Sequence, residues 1–124
     1  MAAPNIVNTS AIYGKTAYVT PSVTTATVLV ANAVGSGKVI KINQIVAANV
    51  NGTATVDTTV AINTLAAGSG TSYPIASTIA VPADASLIIL DKTTAVYLEE
   101  DRSIVVTSGT ASGIAYTVSY EEIS

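Results

Sequence analysis

The pattern that most constrains the fold of this chain is a succession of short β-type runs, each closed by turn residues. Val, Ile and Thr dominate these runs, and β-branched side chains suit a pleated, half-buried surface. Within residues 24–32, for example, Ala26, Val28 and Val30 occupy alternate positions, which is the two-residue period of a strand. No window sustains the apolar stripe of an amphipathic helix over three turns. The pattern therefore predicts an all-β chain.

Turn residues divide the chain into short β-type runs. These runs cover residues 6–13, 16–20, 24–32, 38–50, 53–63, 73–81, 87–90, 96–98, 103–108 and 114–123. Turn signals recur about every 8–12 residues, a spacing typical of antiparallel sandwiches and barrels. We predict an antiparallel β-sandwich of about 8–9 strands, of the jelly-roll or Greek-key type.

A chain of 124 residues has room for one hydrophobic core of this kind but not for two comfortable ones. Residues 14–124 are therefore predicted to form a single sandwich domain. Residues 1–13 precede it as an N-terminal strand or arm, uncharged and rich in strand formers after Ala-Ala-Pro. Such a segment either adds a strand to a neighbouring subunit or pairs as an edge strand of its own sandwich.

Asn51-Gly52 is the strongest local turn signal. Both residue types tolerate the positive φ angles of a type I′ turn, and β-type runs flank them on both sides. We therefore predict a hairpin that pairs residues 42–50 with residues 53–63. Residues 87–90 are apolar on both faces, which indicates either a central strand or one covered by a partner.

Missing residue types exclude several kinds of chemistry. The chain contains no His and no Cys. Without Cys there is no disulfide, thiolate nucleophile, zinc knuckle or iron–sulfur site. Without His the chain lacks the usual general base near neutral pH, the commonest transition-metal ligand and the residue that most often activates a serine. We predict a non-enzymatic protein with no cofactor and no small-molecule substrate, and hydrolysis by Asp and Glu alone is the one enzymatic alternative left open.

Charge is sparse and slightly acidic. Five basic and eight acidic residues give a net charge of −3, and the basic ones are scattered, which argues against nucleic acid as a partner. No apolar stretch approaches the roughly 18 residues of a membrane-spanning helix, so no membrane partner is predicted either. Charged residues make up 10% of the chain and hydrophobic residues 49%. This balance is compatible with surface buried between subunits or with a monomer that has a Thr- and Ser-rich exterior.

A group of four acidic residues could bind a metal ion. Oxygen ligands for Ca²⁺ are offered by Asp91, Glu99, Glu100 and Asp101, but no D-x-D-x-D-G loop is present. We favour a solvated acidic corner whose charge is partly balanced by Arg102.

Residues 35–38 (Gly-Ser-Gly-Lys) superficially resemble a phosphate-binding loop. The motif lacks the first Gly at the required spacing and the Ser or Thr after Lys, and a strand follows it. We interpret it as a turn.

Five segments and the tripeptide GKT, spread over the whole chain, resemble one class of protein. They are MAAPNIVN at the start with GKT at 14–16, KINQIVAANVNGTATV at 41–56, VPADASLIILDK at 81–92, VYLEEDRSIVVTSG at 96–109 and VSYEEIS at 118–124. Together they resemble small virion structural proteins of tailed phages, especially those that infect marine cyanobacteria. One departure is the acidic corner, which commonly reads Glu-Gly-Asp-Ser in such proteins but has no Gly after Glu100 here.

The resemblance implies a non-enzymatic particle component that is assembled in the host cytoplasm and resides in the virion. A capsid decoration or cement protein that stabilises the head shell is the first expectation, with the major capsid protein and copies of itself as partners. A tail, neck or fibre component is the alternative, and a glycan-binding β-sandwich for host attachment is a third. We expect contact with partners at apolar and aromatic residues of the N-terminal segment and of strand ends. These are Ile6, Val7, Ile12, Tyr13, Tyr18 and Tyr73.

Overall fold

The computed structural model describes residues 4–124, and these form two antiparallel sheets packed face to face. Nine strands and one short 3₁₀ helix, Lys92–Thr94, lie within the described residues. The strands are β1 (Ile12–Val19), β2 (Thr27–Asn32), β3 (Val39–Asn49), β4 (Val56–Asn63), β5 (Ser72–Val81), β6 (Ser86–Leu90), β7 (Val96–Leu98), β8 (Arg102–Ser108) and β9 (Ile114–Ile123).

The strand order identifies the sandwich as a jelly roll. Sheet A has the order β1-β9-β3-β6, and β7 also pairs with β3, beyond the end of β6; sheet B has the order β2-β8-β4-β5. Because β6 and β7 pair with successive parts of β3, they occupy a single position at the edge of sheet A. All other consecutive strands except β4 and β5 lie in opposite sheets, which is jelly-roll connectivity. The predicted antiparallel β-sandwich is confirmed.

The hydrophobic core lies between the sheets, at alternate positions of the central strands. Removal of these side chains from water is the main favourable term in folding, at about 25 cal/mol per Å² of apolar surface. The side chains with no solvent exposure include Ile42 and Ile45 of β3, Val60 of β4, Ile104 and Val106 of β8, and Ile114, Tyr116 and Val118 of β9.

The first strand begins later than the sequence predicts and does not end at Gly14. A single strand, β1, replaces the two strands predicted over residues 6–13 and 16–20, and Gly14 pairs with Glu121 inside it. The φ angle of Gly14 is not positive, so this glycine makes no turn. Of the predicted N-terminal arm, residues 1–3 lie outside the described residues, residues 4–11 form no strand, and Ile12 and Tyr13 belong to β1.

The hairpin predicted at Asn51-Gly52 is wrong. β3 and β4 lie in opposite sheets, and neither turn residue has the positive φ that a type I′ turn requires. Instead, the Asn51 side-chain oxygen accepts the backbone N–H of Thr53 at 2.9 Å and of Ala54 at 3.2 Å. This Asx turn carries the chain from sheet A to sheet B.

Candidate interaction surface

All six residues predicted to contact a partner lie on the surface of the chain. Their exposed fractions are 51% for Ile6, 91% for Val7, 55% for Ile12, 59% for Tyr13, 79% for Tyr18 and 63% for Tyr73. The first five lie in β1 or in the segment before it, whereas Tyr73 lies on β5, at an edge of the other sheet. The structure therefore groups five of the six around one edge of sheet A and separates the sixth from them.

β1 is an unusually regular edge strand. It pairs with β9 alone, and the register runs without a bulge from Ile12 opposite Ile123 to Val19 opposite Tyr116. Lys15 is its one charged residue. Within residues 4–124, no loop forms a backbone hydrogen bond to the open side of this strand. Such an edge is a template for another strand, and most proteins blunt it.

The other edges of the described sandwich are blunted. β2 has six residues and a register shift between Val28 and Val30. β5 contains Pro74, two register shifts, and Thr78 with a φ of 50°. β6 and β7 are five and three residues long and are separated by the 3₁₀ helix. Short strands, bulges and proline all hinder strand addition. Among the edges of the described sandwich, β1 has none of these features, so a further strand can pair with it.

The register shows which backbone groups β1 leaves open. Ala11 donates its N–H to the carbonyl of Ser124 at 3.2 Å, and Ser124 donates back to Ala11 at 2.9 Å. Hydrogen-bonded and non-hydrogen-bonded pairs alternate along an antiparallel ladder. Odd-numbered residues of β1 therefore bond to β9, and even-numbered residues direct their N–H and C=O groups to solvent. The open set is Ile12, Gly14, Thr16 and Tyr18.

The same alternation places Tyr18 on the outer face of sheet A, at the end of a row that crosses the whole sheet. Tyr18 lies opposite Thr117, Thr117 opposite Val46, and Val46 opposite Ile88. Tyr18 and Ile88 at the two ends of this row are both exposed. β6 is an edge strand of sheet A, so the first of the two alternatives for residues 87–90, a central strand, is wrong, and a strand covered by a partner stays a prediction.

Sequence reasoning misses several residues of this surface. A glycine between two β-type runs predicts a turn, so Gly14 and Thr16 are not expected on an open edge. Ile88 and Tyr97 are exposed on the outer face of sheet A, opposite Val46 and Lys41 respectively. Those pairings are long-range, and no local pattern indicates them. Continuation of the two-residue period through Gly14 is the signal that would have placed Ile12, Thr16 and Tyr18 together.

In contrast, a loop of the chain itself covers the outer face of sheet B. Gly68, in the connection between β4 and β5, has a φ of 78° and packs closely against two valines of sheet B. A side chain at this position would be too close to them, since its Cβ atom would lie 2.8 Å from a methyl carbon of Val28 and 3.2 Å from one of Val105. Asp101 holds this loop by accepting the N–H of Ala66 at 3.0 Å. This part of sheet B is therefore not open to a partner.

The Gly-rich turn at residues 35–38 binds a carboxylate of the same chain, that of Glu100. The carboxylate of Glu100 accepts the N–H of Gly37 at 3.0 Å and that of Gly35 at 3.1 Å. Both glycines have positive φ, 68° and 70°, a conformation in which neighbouring N–H groups converge on negative charge. The turn and the acidic corner thus tie the β2–β3 connection to the β7–β8 connection.

Two other carboxylates of the acidic group considered for calcium binding also bond to the backbone. Asp91 accepts the N–H of Thr93 at 2.9 Å, and its hydrogen bonds to the hydroxyl and N–H of Thr93 lower the pKa of this carboxyl. Asp101 bonds to the loop over sheet B, and Arg102 donates to the backbone carbonyl of Asp101 at 3.1 Å. Among residues 4–124, no three His, Cys, Asp or Glu side chains are grouped as metal ligands.

Glu122 is the charged residue most firmly held beside β1. Its carboxylate oxygens lie 2.7 Å from the Lys38 ammonium and 3.4 Å from the Lys15 ammonium. The hydrogen bond from Lys38, and then the contact with Lys15, lower the pKa of Glu122 below its ordinary value of 4.5. Lys15 is therefore balanced within its own chain.

This arrangement predicts a specific acid sensitivity. Because the pKa of Glu122 is lower in the folded than in the unfolded chain, its stabilising contribution is complete above about pH 4.5 and is lost as the pH falls through the folded pKa. We expect Glu122→Gln to flatten the fall in denaturant midpoint below that pH, with Glu121→Gln as the matched control. A decline as steep in Glu122→Gln as in the wild type would contradict this prediction.

Comparisons with known proteins identify no relative. No protein-family model matches the chain, and no curated protein matches it. In the described part of the chain, no helix is long and apolar enough to cross a membrane, and no pocket opens on the surface of these residues. The edge of β1 and the segment before it are the features of this surface from which a function can be argued.

Proposed function

We propose that the chain is a structural protein of a phage particle, a capsid decoration or cement protein that stabilises the head shell. The observation that carries this proposal is the open edge of β1 on a jelly roll whose other edges are blunted. Strand addition at such an edge binds a neighbour through main-chain hydrogen bonds, with side chains that supply specificity. The resemblance of five segments to phage virion proteins supports the same role and makes the major capsid protein the expected partner.

The segment before β1 extends this surface. Ile6 and Val7 are exposed, and the N–H of Ser10 donates to the carbonyl of Ser124 at 2.6 Å. The segment therefore reaches the sandwich directly beside the open edge. An uncharged apolar segment in this position is suited to lie along a subunit of the shell.

Deletion of residues 1–10 is expected to abolish binding to the shell while the sandwich stays folded. None of the described residues in this segment belongs to the buried core, and the two hydrogen bonds between Ala11 and Ser124 remain. Co-sedimentation with particles assembled without the chain measures binding, and a thermal melt by circular dichroism measures folding.

Two point variants act as matched controls for the deletion. Val7→Ser removes an exposed apolar side chain from the segment, and Val50→Ser removes one that is also exposed but lies at the opposite end of β9, where the Val50 N–H donates to the Gly113 carbonyl. The first is expected to weaken shell binding and the second to leave it unchanged. Full binding by the truncated chain would refute the role of the segment.

The copy number per particle distinguishes the head shell from other locations. Quantitative mass spectrometry of purified particles is expected to find this chain in numbers comparable to the major capsid protein. A few copies per particle would assign the chain to the tail, neck or fibre. Absence from particles together with saturable binding to a glycan array would replace the virion role with glycan binding.

A further inference from the structure

Strand addition between two copies of this chain requires an open edge on each copy. The β2, β5 and β6–β7 edges are blunted by bulges, proline or short strands. The edge that a second copy offers is therefore again β1. Two identical strands related by a two-fold axis form an isologous, antiparallel contact. We propose that β1 pairs with β1 of a second copy and joins the two copies of sheet A into one continuous sheet.

The alternation along β1 restricts the register of this pairing. Only even-numbered residues direct N–H and C=O groups outward, so hydrogen-bonded pairs across the axis join even-numbered residues. Four registers satisfy this condition near the middle of the strand. They centre on Gly14, Lys15, Thr16 or Ala17.

The register centred on Thr16 is the one that the side chains favour. In this register Thr16 lies opposite Thr16, Gly14 opposite Tyr18, and Lys15 opposite Ala17. A Cβ on Gly14 would meet nothing within 4 Å, and the Tyr18 ring is exposed. The ring therefore covers the bare glycine of the second copy, a cross-strand combination that stabilises strands containing glycine.

Each competing register has a physical cost. A centre at Lys15 places the two Lys15 side chains directly opposite each other, and like charges in that position destabilise a sheet. A centre at Gly14 pairs only residues 12–16 of each β1, and a centre at Ala17 pairs only residues 15–19, so both paired segments are shorter than residues 13–19 of the favoured register. In the favoured register, Lys15 faces an alanine and keeps its contact with Glu122 of its own chain.

This pairing occupies the open edge of β1, so in such a dimer the exposed segment before β1 is the part left to contact the shell. The pairing requires no phage particle, and a dimer with another role would form through the same edge. Its failure would leave the edge free for a shell subunit, so the two proposals fail in different experiments.

Disulfide mapping tests the register. The chain contains no Cys, so each introduced Cys reports a single contact. Thr16→Cys is expected to form a covalent dimer under mild oxidation, because residues opposite each other in a hydrogen-bonded pair have Cα atoms about 5.5 Å apart, within disulfide reach. Thr24→Cys, in an exposed loop, measures cross-linking by random collision.

A second pair of cysteine variants distinguishes the competing registers. Gly14→Cys mixed with Tyr18→Cys is expected to give the heterodimer, but Gly14→Cys alone is not expected to cross-link, because its two copies would be separated by four residues, roughly 13 Å along the strand. Self-linking of Gly14→Cys would overturn the register in favour of a centre at Gly14. Preferential linking of Gly14→Cys to Thr16→Cys would overturn it in favour of a centre at Lys15.

Sedimentation tests the pairing itself. The full chain is expected to sediment as a dimer, at twice the monomer mass of 12.5 kDa. Thr16→Lys, which places two ammonium groups on the axis, is expected to be a folded monomer whose melting temperature no longer rises with protein concentration, and Thr24→Lys is expected to stay dimeric. A wild-type chain that is monomeric up to millimolar concentration would overturn the pairing. A Thr16→Lys chain that is still dimeric would overturn its location on β1.

Discussion

Tyr116→Ala is expected to lower the free energy of unfolding by about 3–5 kcal/mol, the range for removal of a large buried aromatic side chain. Tyr116 has no solvent exposure and lies on β9, between the two sheets. Its hydroxyl forms a hydrogen bond with that of Thr58 and donates to the carbonyl of Thr107 at 2.9 Å. The substitution removes the ring and leaves a cavity between strands of both sheets.

Tyr116→Phe separates the ring from the hydroxyl. It keeps the packing but leaves the Thr107 carbonyl and the Thr58 hydroxyl without this partner, which is expected to cost about 1–3 kcal/mol. Denaturant unfolding measures both variants, and Tyr73→Ala, at the exposed edge of sheet B, is the control, with an expected change within about 0.5 kcal/mol. Equal losses in Tyr116→Ala and Tyr73→Ala would show that the core does not depend on this ring.

The positions of most strands follow from local periodicity, as β9 and β7 illustrate. Residues 114–123 and 96–98 are predicted as strands, and the structure places β9 and β7 at these bounds. In β9 the buried residues Ile114, Tyr116 and Val118 fall on one parity, and a local pattern contains that information. All-β class and sandwich architecture therefore follow from the sequence.

The pairing of strands does not follow in this way. Asn51-Gly52 satisfies the chemistry of a hairpin turn, but β3 is taken by β9, β6 and β7, so the chain must cross to the other sheet. Gly14 satisfies the chemistry of a break, but β9 pairs continuously on both sides of it. In both cases long-range pairing overrides a local turn preference.

The same distinction applies to the candidate interaction surface, since local sequence suggests its residues but not which sheet edge is open. Ile12, Tyr13 and Tyr18 can be chosen from the sequence as candidates for contact, because they are large, apolar or aromatic, and near turns. Which edge stays open is not predictable, since that depends on bulges in β2 and β5, and these bulges arise from pairing with β8 and β4. Identification of the open edge therefore requires the register of strand pairing as well as the residue types.

Buried asparagines are a further feature that residue type alone does not reveal. β2, β3 and β4 end at Asn32, Asn49 and Asn63, and a polar residue at a strand end ordinarily indicates a surface turn. All three are buried. Each amide donates to at least one carbonyl group of another segment, as Asn32 does to Lys38 at 2.9 Å and to Leu98 at 3.0 Å. These amides pair backbone groups where the chain leaves a sheet, and such buried groups are costly when unpaired.

Asn49→Leu is accordingly expected to destabilise the protein by about 2–4 kcal/mol, because two carbonyls and one N–H lose their partner at once. The Asn49 amide donates to the Val81 carbonyl at 2.8 Å and to the Ala54 carbonyl at 3.0 Å, and its oxygen accepts the N–H of Asn51 at 2.8 Å. The bond to Val81 is buried, so water does not replace it. Denaturant unfolding measures the loss.

Asn43→Leu is the matched control, since it makes the same change on the same strand. The side-chain oxygen of Asn43 is buried and has no hydrogen-bond partner, so its removal leaves no acceptor unpaired and is expected to cost less than about 1 kcal/mol. If the two leucine variants lost equal stability, the hydrogen bonds of Asn49 would not be the cause, and disruption of β3 by the larger apolar side chain would explain both. If Asn49→Leu alone lost stability, the crossing from sheet A to sheet B would depend on the bridging amide.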